Sequence, residues 1–248
     1  MGVRETLGVT PPPPSLVLFD FYGTLARATR WVSAADVLAA RGYSLDAAAH
    51  EQWFNGGLDG IEHPEHSRSR DHYVAWQQER TLALLAASDV HPRDHEPILA
   101  ALRAGTAERR LEAYPEVAAV LTELRARGIR IVICSNWDWD LAEAVAEAGL
   151  TELVDDMVSS AWVGARKPHP RIYETTLAQA GGDPESTVFV GDTWGPDAEG
   201  PRALGLRPVY LRRDGHWPDG TAPSADPGAL AALGVTVLPD LRGVLDLV

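Results

Sequence analysis

The sequence predicts an α/β protein in which a parallel sheet carries helices on both faces and an all-helical segment is inserted near its start. Three observations predict it. Short, almost wholly apolar runs recur, Leu16-Val17-Leu18-Phe19, Ile131-Val132-Ile133-Cys134 and Val188-Phe189-Val190, and a strand reads this way when both of its faces are covered. From residue 114 onward such runs alternate with segments of helical periodicity, the pattern of strands joined by crossover helices. Residues 26–113 contain no such run and instead place apolar residues at helical spacing.

Taken in order, residues 1–14 (MGVRETLGVTPPPP) lack the apolar stretch of a signal peptide, and four prolines favour an extended, flexible leader. The first six residues fit MGxxx[ST], a pattern too loose to assign myristoylation. The first strand runs out into Asp20, and Gly23-Thr24 then turns the chain. Helices are expected at 31–40, at 44–53 with Ser44 as cap, at 71–87 and at 95–111, interrupted by Gly56-Gly57 and Gly60. The core, 15–25 and 114–248, then continues with helix 116–127, strand 129–134, helix 141–148, strand 157–159, helix 171–180, strand 187–190, helix 197–204, strands 208–211 and 235–238, and a last short helix. Residues 213–228, rich in Pro, Gly and Asp, read as a loop. The order is that of a Rossmann-like sheet, whose ligands bind beyond the carboxyl ends of its strands.

Composition narrows the function. A formal charge of -13 disfavours nucleic acid and anionic membranes as partners, and no run of about 18 apolar residues is present to span a bilayer. The one cysteine, Cys134, forms no internal disulfide and suits a reducing cytoplasm; its apolar neighbours mark it as a buried small hydrophobe. Arginine supplies the basic residues except at Lys167, the single lysine. A compact ammonium beside a proline in a loop, in a chain that otherwise uses guanidinium, points to a site that needs a point charge.

Four loops follow apolar strands or lie between them: Asp20-Phe21-Tyr22-Gly23-Thr24-Leu25, Ser135-Asn136, Arg166-Lys167-Pro168, and Gly191-Asp192 with Asp197 beyond it. In kind and order they resemble the four motifs of the haloacid dehalogenase-like (HAD) hydrolase superfamily, over about residues 15–212. The position of 26–113 is similar to that of the superfamily's helical cap. The resemblance implies that Asp20 is the nucleophile, with Tyr22 in the general-acid position, Thr24, Ser135 and Lys167 in the catalytic set, and Gly23, Asn136 and Trp137 against a small-molecule substrate. It also implies Mg²⁺, held by Asp20, the backbone carbonyl of Tyr22 and Asp192, with Asp197 in an outer position orienting waters or Lys167.

The residues support these roles independently. A carboxylate can attack phosphorus or carbon to form a covalent intermediate, and a phosphoryl group in transit needs donors and cations around it. If Asp192 stands beside Asp20, the two carboxylates repel unless a cation lies between them, and a hard, oxygen-liganded Mg²⁺ meets that need.

Tyr22 departs from the phosphatase pattern, in which a second Asp serves as general acid/base, and matches the DxYGTL of similar 2-haloacid dehalogenases. Ser135-Asn136 and Tyr173, six residues after Lys167, also fit those metal-free enzymes. Gly191-Asp192 does not, and the halide-binding arginine has only Arg27, Arg30 and Arg41 as candidates. The sequence therefore favours a Mg²⁺-dependent phosphatase over a dehalogenase, with a catalytically weakened binding protein as a third reading. Trp137, Trp139, Trp162 and Trp194 are expected along the carboxyl edge of the sheet, facing the helical segment, as aromatic packing between the two or, as the second reading, as the wall of a mouth for a substrate with a flat or apolar body. In that segment Trp53, His63, His66, Arg68, Arg70 and His72 form a polar group expected to be solvated surface, with recognition of the rest of the substrate as the second reading.

Overall fold

The computed structural model describes residues 12–213, 222–224 and 226–248; the proposed leader, save its last three residues, lies outside them. Strand β1 (Leu16–Phe19) alternates its side chains between two apolar layers, as the unbroken apolar run requires. Val17 and Phe19 meet residues such as Val120, Leu124 and Val145 on one face, while Leu16 and Leu18 meet Ile172, Tyr173 and Leu177 on the other.

After β1 the chain enters a short strand, β2 (Ala26–Arg30), and then the helical insert: α1 (Ala34–Ala39), α2 (Ala47–Phe54), α3 (Arg70–Ala87) and α4 (His95–Ala107). Caps fix where these begin. Ser33 and Asp36 form a capping box on α1, Asp46 rather than Ser44 caps α2, and Ser69 caps α3. Val37, Leu38, Leu85, Val90 and Ile98 give the insert an apolar centre of its own.

The insert differs from its sequence reading at both ends. Residues 110–113 form strand β3 (Arg110–Ala113), which pairs antiparallel with β2 to make a two-stranded ribbon where a purely helical stretch was expected. Only alternate positions of this ribbon pack inward, and its strands lie some 80 residues apart in sequence, so no local apolar run announces it.

The rest of the chain builds the sheet: α5 (Val117–Ala126), β4 (Arg130–Ser135), α6 (Leu141–Glu147), β5 (Asp156–Ser159), α7 (Ser160–Val163), α8 (Pro170–Ala180), β6 (Thr187–Gly191), α9 (Gly200–Ala203), β7 (Arg207–Leu211), α10 (Pro227–Ala232) and β8 (Thr236–Leu238). Its order is β5-β4-β1-β6-β7-β8, with every pair parallel. The chain moves outward from β1 to β4 and β5, then crosses to β6 on the other side. β1 is thus where the winding reverses, and a crevice opens at its carboxyl end.

Two further readings are corrected. The expected helix 197–204 is a π turn, Trp194–Glu199, followed by the single turn of α9. Trp194 faces away from the insert, packing edge-on against Tyr210 at 5.7 Å beside Leu230 and Val235. Among the described residues no helix is long and apolar enough to cross a membrane.

Candidate active site

Register brings the predicted residues together. Phe19 pairs with Ile133 on one side and Val190 on the other, so Asp20 leaves the sheet between the ends of β4 and β6. Ser135 ends β4, and Asp192 follows Gly191 at the end of β6. Gly23, at φ 86°, turns the chain back after Asp20, and its N–H bonds to the Ala26 carbonyl at 2.8 Å.

Asp20 is enclosed, and two donors converge on one of its oxygens. Ser135 Oγ donates to Oδ1 at 2.9 Å and Lys167 Nζ donates to the same atom at 2.7 Å. Lys167 also donates to Asp197 Oδ1 at 2.6 Å, and the Thr193 N–H bonds to Asp197 Oδ2 at 2.9 Å. Both oxygens of Asp197 are therefore engaged by the protein. Gly191 makes this possible, since a Cβ there would lie 2.3 Å from Asp197 Cγ. Tyr173 supports the same turn, its buried hydroxyl donating to the Pro196 carbonyl at 2.5 Å.

Burial dominates the electrostatics. It raises the Asp20 carboxyl above its usual range; Lys167 opposes the rise and Asp192 adds to it. Burial pushes Asp197 up to about 8, again against the pull of Lys167 and with the help of Asp20. Burial alone would lower Lys167, but the carboxylates of Asp197 and Asp20 outweigh it and hold the ammonium above its ordinary range. Asp20, Asp192 and Asp197 offer oxygens within 4.8 Å of one another. Lys167 pairs with two of these acids, Asp20 and Asp197, and an all-oxygen donor set of this kind suits a hard divalent cation.

The other predicted residues fall into distinct places. Thr24 is buried, and its hydroxyl donates to Asp192 Oδ1 at 3.4 Å. Asn136 turns its amide to the backbone of Lys167: Oδ1 accepts the Lys167 N–H at 2.7 Å and Nδ2 donates to the Lys167 carbonyl at 3.0 Å. It thus positions the lysine loop, where substrate contact was expected. Trp137 is nearly buried against Phe21, with ring centroids 5.2 Å apart, and its indole N–H donates to Asp140. Tyr22 is 39% exposed, its ring set against Trp31 and Trp137. Cys134 is buried and free, its thiol pushed up to about 11 by burial.

Of the candidate halide ligands, Arg27 and Arg30 pair with Glu112 and Glu108 on the ribbon, and Arg41 bonds to the carbonyls of Val37 and Pro97. Within the polar group of the insert, His63 and His66 both stack on Trp76. Arg70 pairs with Glu143 on the exposed surface, but His63 is buried against Trp76, contrary to its expected solvation.

Sequence reasoning missed three contributors. Arg213, just past β7, donates to the Thr24 carbonyl at 2.8 Å and to Glu116 Oε1 at 2.5 Å, tying the turn after Asp20 to the start of α5. Arg109 is buried between Asp140 and Glu147. Residues 60–63 pair with the lysine loop: the Gly60 N–H bonds to the Lys167 carbonyl at 3.2 Å, Arg166 to Ile61 at 3.0 Å and His63 to Gly164 at 2.7 Å. Only Arg213 carried a signal, its place at a strand's carboxyl end.

A family model described as haloacid dehalogenase-like hydrolase matches residues 14–205. The chain belongs to that family. Among relatives of this hydrolase, the phosphoserine phosphatase of Thermus thermophilus is 37% identical over 106 residues, covering 42% of this chain and 43% of that enzyme. The haloacetate dehalogenase H-2 of a Moraxella species is 32% identical over 126 residues, covering 47% and 55%. The hydrolase thus spans about half the length of these relatives. A HAD family hydrolase from Deinococcus radiodurans, solved with bound phosphate and sodium, has the same fold with a TM-score of 0.62 at 29% identity, over 94% of this chain and 95% of that one.

Proposed function

We propose that this hydrolase is a Mg²⁺-dependent phosphatase that acts on a small phosphorylated metabolite through an aspartyl-phosphate intermediate on Asp20. The observation that carries the reading is the cluster of Asp20, Asp192 and Asp197, whose oxygens lie within 4.8 Å of one another with Lys167 paired to Asp20 and Asp197, an oxygen-rich set at the strand ends that suits a divalent cation. A metal-free site for a carboxylate-bearing haloacid gains nothing from Asp192.

In this reading Asp20, Asp192 and the Tyr22 carbonyl would hold Mg²⁺, and Asp197, engaged by Lys167 and Thr193, stays outside that set. The ion, when bound, supplies charge that offsets the acids and the phosphoryl oxygens. Ser135 and Lys167 fix the carboxylate of Asp20 through Oδ1 and then hold the oxygens of the transferring group. Asp20 forms an O–P bond as the ester P–O bond breaks, and the departing oxygen takes a proton from the Tyr22 hydroxyl. Water then attacks phosphorus as the Asp20 O–P bond breaks, returning a proton to Tyr22, releasing inorganic phosphate and restoring Asp20. Asn136 keeps Lys167 in place from its backbone.

The helical insert between β2 and β3 serves as a cap, with residues 60–63 resting on the lysine loop. The corresponding division is a leader at 1–14, a core of 15–25 and 114–248, and a cap of 26–113. The reading places the enzyme in the cytoplasm, acting on a small molecule rather than on nucleic acid or membrane.

Phosphatases among the relatives support this reading. A second reading, a 2-haloacid dehalogenase, is favoured by Tyr22 and by the similarity to haloacetate dehalogenase. One experiment separates them. Purified protein is assayed against phosphorylated metabolites and 2-chloropropionate, with Mg²⁺ and with chelator. Phosphate release that needs Mg²⁺ is expected, and halide release in chelator would reverse the assignment.

A further inference from the structure

Two large, exposed apolar side chains meet beside the nucleophile. Tyr22 is 39% exposed and Trp31 is 52% exposed, yet their ring centroids are 5.9 Å apart. Tyr22 also leans on Trp137 at 6.1 Å. The three rings come from separate segments: Tyr22 lies two residues after Asp20, Trp137 two residues after Ser135, and Trp31 just beyond β2, where the chain enters the insert. Tyr22 and Trp31 form an exposed apolar face, with the nearly buried Trp137 behind Tyr22.

The face is held in place from behind. Trp137 is fixed by Phe21 and by its N–H bond to Asp140 at 3.0 Å. The Arg109 guanidinium stands 5.2 Å from the Trp137 ring and 5.8 Å from the Trp31 ring, within range of a cation–π contact to both. Rings supported in this way lose little freedom when a ligand stacks on them.

The charges nearby are matched. Arg109 is paired with Asp140, Arg27 with Glu112 and Arg30 with Glu108. These three guanidiniums are thus already engaged by carboxylates. An uncharged, flat body fits this surface better than a carboxylate or a second phosphate.

We propose that Tyr22 and Trp31, backed by Trp137, bind the leaving-group side of the substrate, that the substrates are phosphomonoesters of planar, apolar alcohols such as aryl phosphates, and that Trp31 is a specificity-determining residue. The proposal rests on the phosphatase reading. Aromatic stacking, with the burial that accompanies it, is worth about tenfold in affinity.

The test compares 1-naphthyl phosphate with glycerol phosphate in wild type, Trp31→Ala and Trp31→Phe, each with Mg²⁺ and each checked by thermal melting. The ratio of kcat/KM for the two esters is expected to fall about tenfold in Trp31→Ala, through KM, and to recover in Trp31→Phe. A ratio unchanged in Trp31→Ala overturns the proposal. Calorimetric titration with 1-naphthol reads the rings without the phosphoryl chemistry: binding to wild type that weakens about tenfold in Trp31→Ala supports the platform, and no binding to wild type overturns it. Absence of turnover on every phosphomonoester overturns the phosphatase reading instead, and the 1-naphthol result still decides the role of the rings.

Discussion

Lys167 Nζ donates to Asp20 Oδ1 at 2.7 Å in a site that is almost closed to solvent. The ammonium reaches Asp197 as well, so one cation holds two buried acids. Lys167→Met leaves both without a counter-charge and is expected to destabilise the fold by about 3–5 kcal/mol and to abolish turnover. Lys167→Arg retains the charge, but a planar fork cannot occupy the point between the two oxygens, so stability is partly kept and activity is not. Urea denaturation and turnover of a common ester measure the two effects separately.

Asp20→Asn removes the attacking oxygen while nearly preserving shape. Turnover is expected to fall by at least about 10³-fold with little change in melting temperature. Wild-type protein quenched in acid during turnover should carry phosphate on the peptide that contains Asp20. Full activity in the Asn variant would remove the nucleophile assignment.

Chelation is expected to stop phosphate release, and added Mg²⁺ to restore it. Asp192→Asn removes one of the acids that call for a cation, and Thr24 loses the carboxylate that its hydroxyl meets. Calorimetric titration with Mg²⁺ should show affinity reduced about tenfold or more in this variant. Equal affinity in the two proteins would place the ion elsewhere.

Tyr22 stands where the similar phosphatases carry a general acid. A phenol gives up its proton less readily than a carboxylic acid, and general acid–base help is worth about 10²–10⁴-fold. Wild-type rates are expected to fall steeply as the leaving group becomes a poorer one. Tyr22→Asp should flatten that dependence and speed hydrolysis of alkyl phosphates. A flat dependence in wild type, unchanged by the substitution, would assign proton transfer to another group.

His63 is enclosed in the insert, stacked on Trp76 at 4.6 Å and bonded through Nδ1 to Ser67 at 3.1 Å. Burial, followed by the nearby Arg166 guanidinium, with Arg80 and His66, lowers it to about 4. The folded protein thus keeps this ring neutral while the unfolded chain takes up a proton below about 6.5. Its contribution is full above that pH and is lost as pH falls toward about 4, by up to about 3 kcal/mol. Asp20 and Asp197, raised by burial, act in the opposite sense, favouring the folded state less as pH rises. His63→Phe leaves the acids in place. The difference between wild-type and variant stability, measured by urea denaturation from pH 7 to 4, should therefore narrow by the His63 contribution alone, and parallel curves would contradict it.

Much of the core was legible because its signals are local. A strand covered on both faces must be continuously apolar, as in β1, β4 and β6, and the residues that end such strands must lie on one edge of the sheet. The β2–β3 ribbon was not legible, since its pairing depends on two polar segments brought together by everything folded between them. The π turn at Trp194–Glu199 likewise arises from fitting Asp197 over Gly191 and Tyr173 under Pro196, a condition imposed by neighbours in space.

For the site, residue type and order by themselves determined that Asp20, Ser135, Lys167 and Asp192 gather at one place, because each follows or adjoins a strand end and a parallel sheet gathers its strand ends. Tertiary structure decided what each side chain touches. It gave Asn136 to the Lys167 backbone, turned Trp194 into the core, enclosed His63 and set Tyr22 against Trp31, because a side chain's partner is fixed by the register of strands and the seating of the insert, and neither is written in any short stretch of residues.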